Sequence, residues 1–264
     1  MTQTPNDNDG EMWRQLLTEG ESMTGHVIHL LGLLPSNPRC KFCRAPFKGI
    51  AAPLMRLIGK ERSKKNPYFC AGCEKFMIKH LGGAEIELTM LFVDVRGSTT
   101  IAEKMKPTEF SQLMNRFYEV AIAVLIKADG AIDKLIGDEV MALFIPGWAG
   151  KNHARRAVDV GQELLRVTGY NDAAGPWIPI GIGVHTGVAW VGAIAGAGGA
   201  SDFTALGDNV NIAARLASKA ASGEVLISEA ACFAANVDTN SLEKRELELK
   251  GKSEAVAVRV MYAK

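Results

Sequence analysis

One apolar run that ends in a carboxylate constrains this chain most: Leu88-Thr-Met-Leu-Phe-Val-Asp94, followed by Val95-Arg-Gly-Ser-Thr99. A mostly apolar run of this length reads as a buried strand, here over residues 86–94. It stops at Asp94, where a side chain can leave the sheet. A second carboxylate lies 44 residues on, in Asp133-Lys-Leu-Ile-Gly-Asp138. Strands over 131–136 and 139–145 flank Gly137-Asp138, a two-residue hairpin turn with Gly first. If the 88–94 strand pairs with this hairpin, Asp94 and Asp138 come within a few ångströms. Mg²⁺ and Mn²⁺ prefer oxygen ligands and are held by one or two carboxylates plus substrate phosphates, which such a pair suits.

The rest of the C-terminal two thirds alternates helix and strand. Pro107–Lys127 reads as a helix with Thr108 as N-cap and Phe110, Leu113, Met114, Phe117, Val120, Ala121 and Val124 on one apolar face. Residues 151–168 are helical. Strands follow at Ile178–Val184 and Val188–Ala193, then a flexible Gly-rich loop from Gly192 to Gly199. A helix over 208–220 carries Asn211-Ile-Ala-Ala-Arg215, whose Asn211 and Arg215 at i and i+4 share a face. Asp208 reads as its cap. Strands over 224–228 and 255–262 complete an α+β arrangement.

Together, in this order and spacing, the three motifs resemble the catalytic domain of the class III nucleotide cyclases, most closely the adenylyl cyclases. The resemblance covers Ile86 to Lys264. It implies a ferredoxin-like βαβ core with added strands and flanking helices. It implies that Asp94 and Asp138, with the Val95 carbonyl, bind two Mg²⁺ or Mn²⁺ ions. Lys134 and Thr204 occupy the base-selecting positions and point to ATP; guanylyl cyclases typically carry Glu and Cys there. The resemblance implies that Asn211 orients the ribose and Arg215 binds the phosphates. The implied product is 3′,5′-cyclic AMP, with pyrophosphate released. Asp202 matches a family motif position and receives no catalytic role. In the family, metal ligands and selectors come from opposite subunits, so the resemblance also implies a head-to-tail homodimer. Three rivals stand beside this reading: a guanylate cyclase, a silent nucleotide-binding regulatory domain, and a diguanylate cyclase. The last is echoed only faintly by Ile136-Gly-Asp-Glu-Val140. The Thr204 subgroup includes bicarbonate-responsive enzymes, an associational hint to a regulator.

The first 83 residues lie outside the resemblance and differ in charge. They hold 12 Lys/Arg against 7 Asp/Glu, whereas the remainder holds 18 against 22. This asymmetry suggests separate modules: a tail and helix over 1–38, a four-cysteine module over 39–83, and the cyclase domain over 84–264, with Gly82-Gly83 as hinge. Residues 1–10 read as disordered, and Met12, Leu16 and Leu17 as one face of a helix. Cys40-Lys-Phe-Cys43 and Cys70-Ala-Gly-Cys73 are CxxC pairs separated by 26 residues. Four thiolates suit tetrahedral Zn²⁺, and an Fe–S cluster is the alternative. His80 could replace one ligand. The module's 11 basic residues against 2 acidic over 39–79 could contact nucleic acid or merely solubilise it. Cys232 reads as a buried helix thiol. The most apolar stretch, Val27–Leu34, is broken by His29 and Gly32, so no membrane span is expected. With a polar N-terminus, the expected location is cytoplasmic. The expected partners are ATP, a second copy of the chain, and an unknown regulator acting through residues 1–83.

Overall fold

A computed structural model describes residues 7–20, 39–40, 42–43, 45–63, 69–195, 201–249 and 255–263. The Val27–Leu34 stretch and residues 196–200 of the Gly-rich segment lie outside the described residues. In chain order the elements begin with α1 (Asp7–Thr18), α2 (Ala52–Leu57), α3 (Ala71–Lys79), β1 (Gly82–Val95), α4 (Ser98–Glu103) and α5 (Pro107–Lys127). Then come β2 (Ala131–Ile136), β3 (Glu139–Phe144), α6 (Pro146–Ala149), α7 (His153–Val167), β4 (Ile180–Ala195) and β5 (Ser201–Leu206). The last are α8 (Asp208–Lys219), β6 (Glu224–Ser228), α9 (Glu229–Ala234), β7 (Glu243–Leu247) and β8 (Val256–Tyr262).

The strands form one mixed sheet in the order β2-β3-β1-β4-β6-β8-β7, with β5 paired to β4. Its first four strands, with α5 and α7 as crossovers, make the split βαβ pattern of ferredoxin-like folds. β3 runs antiparallel between β2 and β1, β4 runs parallel to β6, and β8 is antiparallel to both β6 and β7. β1 alternates buried and exposed positions from Ala84 to Leu88, then is wholly buried from Leu88 to Val93. That change marks where the strand passes into the centre of the sheet.

The described residues form two compact units. One takes those of Met1–Ile86, Ile145–Lys151 and Trp190–Leu206. The other takes Glu87–Phe144, Asn152–Ala189 and Gly207–Lys264.

In the first unit, α1 starts at Asp7, so residues 7–10, expected to be disordered, are helical, and residues 1–6 lie outside the described residues. Trp13, Leu16 and Leu17 are buried, and the Trp13 indole donates to His80 O at 3.2 Å. Gly82-Gly83 is no hinge but the opening of β1. A Cβ on Gly83 would lie 2.3 Å from Val191 O, so the two strands touch there through bare backbone. Likewise Gly192 is a strand residue in β4, not the start of a loop.

In the second unit, α5 has the predicted bounds and buries Met114, Phe117, Ala121 and Leu125. Its N-cap is Lys106, in extended backbone before Pro107, and not Thr108, which lies within the first turn. Glu109 Oε2 accepts from Lys106 N at 3.1 Å. Pro at the first helical position explains the shift, since its fixed φ pre-forms the helix and its missing N–H costs nothing there. The two strands expected on either side of His185-Thr186-Gly187 are one strand, β4. Its polar middle is buried by pairing: Thr186 Oγ1 bonds Thr89 Oγ1 at 2.7 Å, and His185 bonds Ser228 Oγ at 2.8 Å and Asn209 Oδ1 at 2.9 Å. Asp208 is the first residue of α8, and its N-cap is Gly207, so the expected Asp208 cap is absent.

Candidate active site

The β1–β3 ladder decides the geometry. Asp94 stands opposite Glu139 across the antiparallel pair, and Val95 N donates to Asp138 O at 3.2 Å. The turn is two residues long, since Ile136 pairs with Glu139, and Gly137 has φ 61°. A positive φ at the first turn position only is the type II′ signature that Gly allows without strain. Asp94 and Asp138 are thus neighbours, as the sequence leads one to expect.

Three further groups surround them that sequence reasoning missed. Arg96 forms an ion pair with Asp94, and its Nη1 donates to Ser218 O at 2.8 Å, at the end of α8. Burial raises the Asp94 carboxyl above its usual range, against the lowering effect of Arg96, and Asp138 adds to the rise. Glu139 is pushed up to about 7, first by burial and then by the charges of Asp94 and Asp138. Tyr118, on α5, donates to Gly137 O and ties the helix to the turn. Burial, with help from Asp138, raises its hydroxyl pKa. Three carboxylates against one guanidinium leave this corner short of positive charge, the donor set and charge that a hard divalent cation suits.

Lys134 is half-buried on β2, opposite Met141, directly after a register shift at Asp133. A bulge re-aims the next side chain, so Lys134 does not follow the plain alternation expected of a regular strand. Asn211 and Arg215 lie on α8, whose other face buries Ile212, Ala213, Leu216 and Ala217. Asn211 is exposed, while Arg215 Nη1 is buried with no hydrogen-bond partner. A buried donor in that state suits an anion brought by a ligand. Thr204 is 1% exposed on β5, opposite Gly192 of β4. Asp202 is exposed on the same strand.

The four expected thiols do converge. The sulfurs of Cys40, Cys43, Cys70 and Cys73 lie within 4.8 Å of one another, and Cys43 Sγ is 3.7 Å from Cys70 Sγ. A tetrahedron with metal–sulfur bonds of about 2.3 Å has edges of about 3.8 Å. A multi-iron cluster would spread the four sulfurs wider, because irons and bridging sulfides lie between them. Backbone N–H groups of Cys43 and Cys70 point at Cys40 Sγ at 3.5 and 3.3 Å, as suits a thiolate. Burial pulls the Lys60 pKa down, but the charges of Cys43, Cys73 and Cys70 outweigh it and raise it. His80 is committed elsewhere, paired with Asp9 at 3.5 Å. Cys232 is a buried thiol of α9, as expected, with its pKa raised to about 11, chiefly by burial.

Against known proteins, the model of the adenylate and guanylate cyclase catalytic domain matches residues 84–261. The chain belongs to this family. An adenylate cyclase of Anabaena cylindrica is 32% identical to this cyclase over 184 residues, 65% of the chain and 36% of that protein. Adenylate cyclase 1 of Rhizobium meliloti (strain 1021) is 34% identical over 145 residues, 52% of the chain and 22% of that protein. The chain thus spans about a third or less of the length of these curated relatives. Two crystal structures are similar over 68% of the chain. The adenylyl cyclase CyaB from P. aeruginosa has 29% identity and TM-score 0.58 over 96% of its length. The guanylyl cyclase Cya2 has 27% identity and TM-score 0.61 over 93% of its length. No helix among the described residues is long and apolar enough to cross a membrane.

Proposed function

We propose that this cyclase domain converts ATP to 3′,5′-cyclic AMP and pyrophosphate at sites shared between two copies of the chain. The observation that carries the reading is the β1–β3 register, which sets Asp94 beside the Gly137-Asp138 turn. Asp94, Asp138 and the Val95 carbonyl would hold two divalent ions. Bound Mg²⁺ or Mn²⁺ would lower the pKa of the ribose 3′-hydroxyl and neutralise triphosphate charge. The 3′-hydroxyl gives up its proton to water, its oxygen bonds to the α-phosphorus, and the bond to the bridging oxygen breaks as pyrophosphate leaves. Arg215 supplies fixed positive charge and forked donors to the phosphate oxygens, and Asn211 orients the ribose. Lys134, a donor without acceptor capacity, suits adenine N1, and the Thr204 hydroxyl accepts from the 6-amino group. Similarity to both adenylate and guanylate cyclases supports the reaction class, and the Lys134/Thr204 pair supports ATP. The four-thiol site would hold Zn²⁺ in preference to an Fe–S cluster, since its sulfurs crowd to single-ion spacing.

The test is cyclic nucleotide production by the full chain, given ATP or GTP with Mg²⁺ or Mn²⁺, beside Asp94→Ala. Cyclic AMP from the parent and none from the variant is expected. Cyclic GMP alone would make the chain a guanylate cyclase, and product from Asp94→Ala at the parent's rate would remove the metal assignment.

A further inference from the structure

The residue before Thr204 on β5 belongs to an aromatic cluster. Phe203 is buried on β5, and successive strand residues point to opposite faces, so the Phe203 ring sits on the face away from the Thr204 hydroxyl. That ring is held by three others within the first unit: Trp148 at 5.3 Å, Phe69 at 5.7 Å and Trp13 at 6.0 Å between centroids. Phe69 immediately precedes Cys70. Phe42, which immediately precedes Cys43, lies 6.4 Å from Phe69 and 6.3 Å from Trp148. Both cysteine pairs therefore present a ring to the cluster that packs on Phe203.

Phe42 also meets Phe76 of α3 at 5.7 Å and Trp13 of α1 at 6.2 Å. Outside helices α2 and α3, the described backbone between the cysteine pairs is tied by two isolated β-bridges, Arg39 with Pro46 and Arg62 with Cys70. For so short a segment a bound metal supplies folding free energy. Four buried sulfurs this close repel one another when ionised, unless a cation lies among them.

We propose that one thiolate-bound metal ion at Cys40, Cys43, Cys70 and Cys73 locks Phe42 and Phe69 into the cluster on Phe203, making Phe203 a positioning residue for Thr204. Metal occupancy of the cysteine site then sets how well the cyclase tells ATP from GTP. The base-reading role of Thr204 rests on the adenylate cyclase reading above; the metal site and the aromatic packing do not.

The test uses the full chain loaded with Co²⁺ and four variants. The parent should show the intense near-ultraviolet thiolate-to-cobalt absorption of a tetrahedral sulfur site. Cys70→Ser should lose that absorption, and Phe203→Ala should keep it. Preference for ATP over GTP, read by competition binding and by product ratio, should fall about tenfold in both, the worth of one well-placed hydrogen bond. Phe203→Leu should retain most of the parent's preference. Absence of the thiolate absorption in the parent overturns the proposal. So does a Phe203→Ala protein with the parent's preference, or a parent with no preference. Where Phe203→Ala does not fold, Phe42→Leu replaces it, and a parent-like preference there overturns the coupling. A parent that binds ATP selectively but makes no cyclic product sinks the adenylate cyclase reading alone, because the coupling is then read from binding.

Discussion

At Arg215 the fold leaves a buried donor, Nη1, with nothing to bond. An unmet buried donor costs about 1–3 kcal/mol, and a phosphate oxygen arriving with substrate would relieve it. The relief should be greatest where charge develops on the transferring phosphate. Arg215→Ala is therefore expected to lower kcat by about a hundredfold to a thousandfold while KM moves only a few-fold. Steady-state kinetics would check this, and a raised KM with unchanged kcat would instead make Arg215 a ground-state binder. The placement of Asn211 and Arg215 on one helix, and of Asp94 beside the Gly137-Asp138 turn, was legible in the sequence from helical spacing and from the strand and hairpin pattern. Arg96 and Glu139 were not, although they adjoin those motifs. Whether Arg96 reaches Asp94 and the end of α8, and whether Glu139 faces Asp94, depends on strand pairing and not on local pattern.

Among the elements, α8 depends on β4. A Cβ at Gly183 would lie 2.3 Å from Ala217 N and 2.5 Å from Ala213 O, so only a glycine lets the helix lie this close to the strand. Gly183→Ala must push α8 outward, and Asn211 and Arg215 move with it. The expected outcome is a loss of about 1–3 kcal/mol of stability, the usual cost of overpacking, with kcat falling further than stability requires. Chemical denaturation beside turnover at low temperature would separate the two effects. A second element-scale prediction concerns α7. His153, at its start, is buried and bonds Thr89 Oγ1 at 2.9 Å; burial lowers its pKa, only partly offset by Glu87. A His depressed in the folded state is neutral there and takes up its proton on unfolding. Its stabilising share is therefore present above the unfolded pKa of about 6.5 and is lost as pH falls below it. Melting temperature should drop between pH 7 and pH 5.5, and His153→Gln should flatten that slope; equal slopes would remove His153 as the cause. The long helices and the hairpin were readable from periodicity and turn chemistry, whereas β5 and β7 were not. β7 is Glu243-Lys-Arg-Glu-Leu247, a charged edge strand whose Arg245 bonds both oxygens of Glu224 at 2.9 and 2.7 Å. Edge strands tolerate such charge because one side has no strand to pair with, so hydrophobic alternation carries no signal there.

On the scale of the whole molecule, the sequence suggests a boundary after Gly83, and the family match begins at residue 84. The first compact unit takes, beside Met1–Ile86, the segments Ile145–Lys151 and Trp190–Leu206. Those segments join it through Trp148 and Phe203, ring contacts between residues distant in sequence that no local pattern announces. The remaining whole-molecule question is the assembly. If the metal carboxylates of one copy work with the Arg215 of another, each site of a two-fold dimer draws on both chains. Asp94→Ala and Arg215→Ala would then each be inactive alone for different reasons. Mixed and allowed to exchange, they form heterodimers in which one site carries both lesions and the other carries neither. Random pairing makes half the dimers mixed, each with one intact site of two, so activity should return to about a quarter of the parent's. Activity that stays at the level of the separate variants, in a mixture shown to exchange subunits, would place the whole site within one chain.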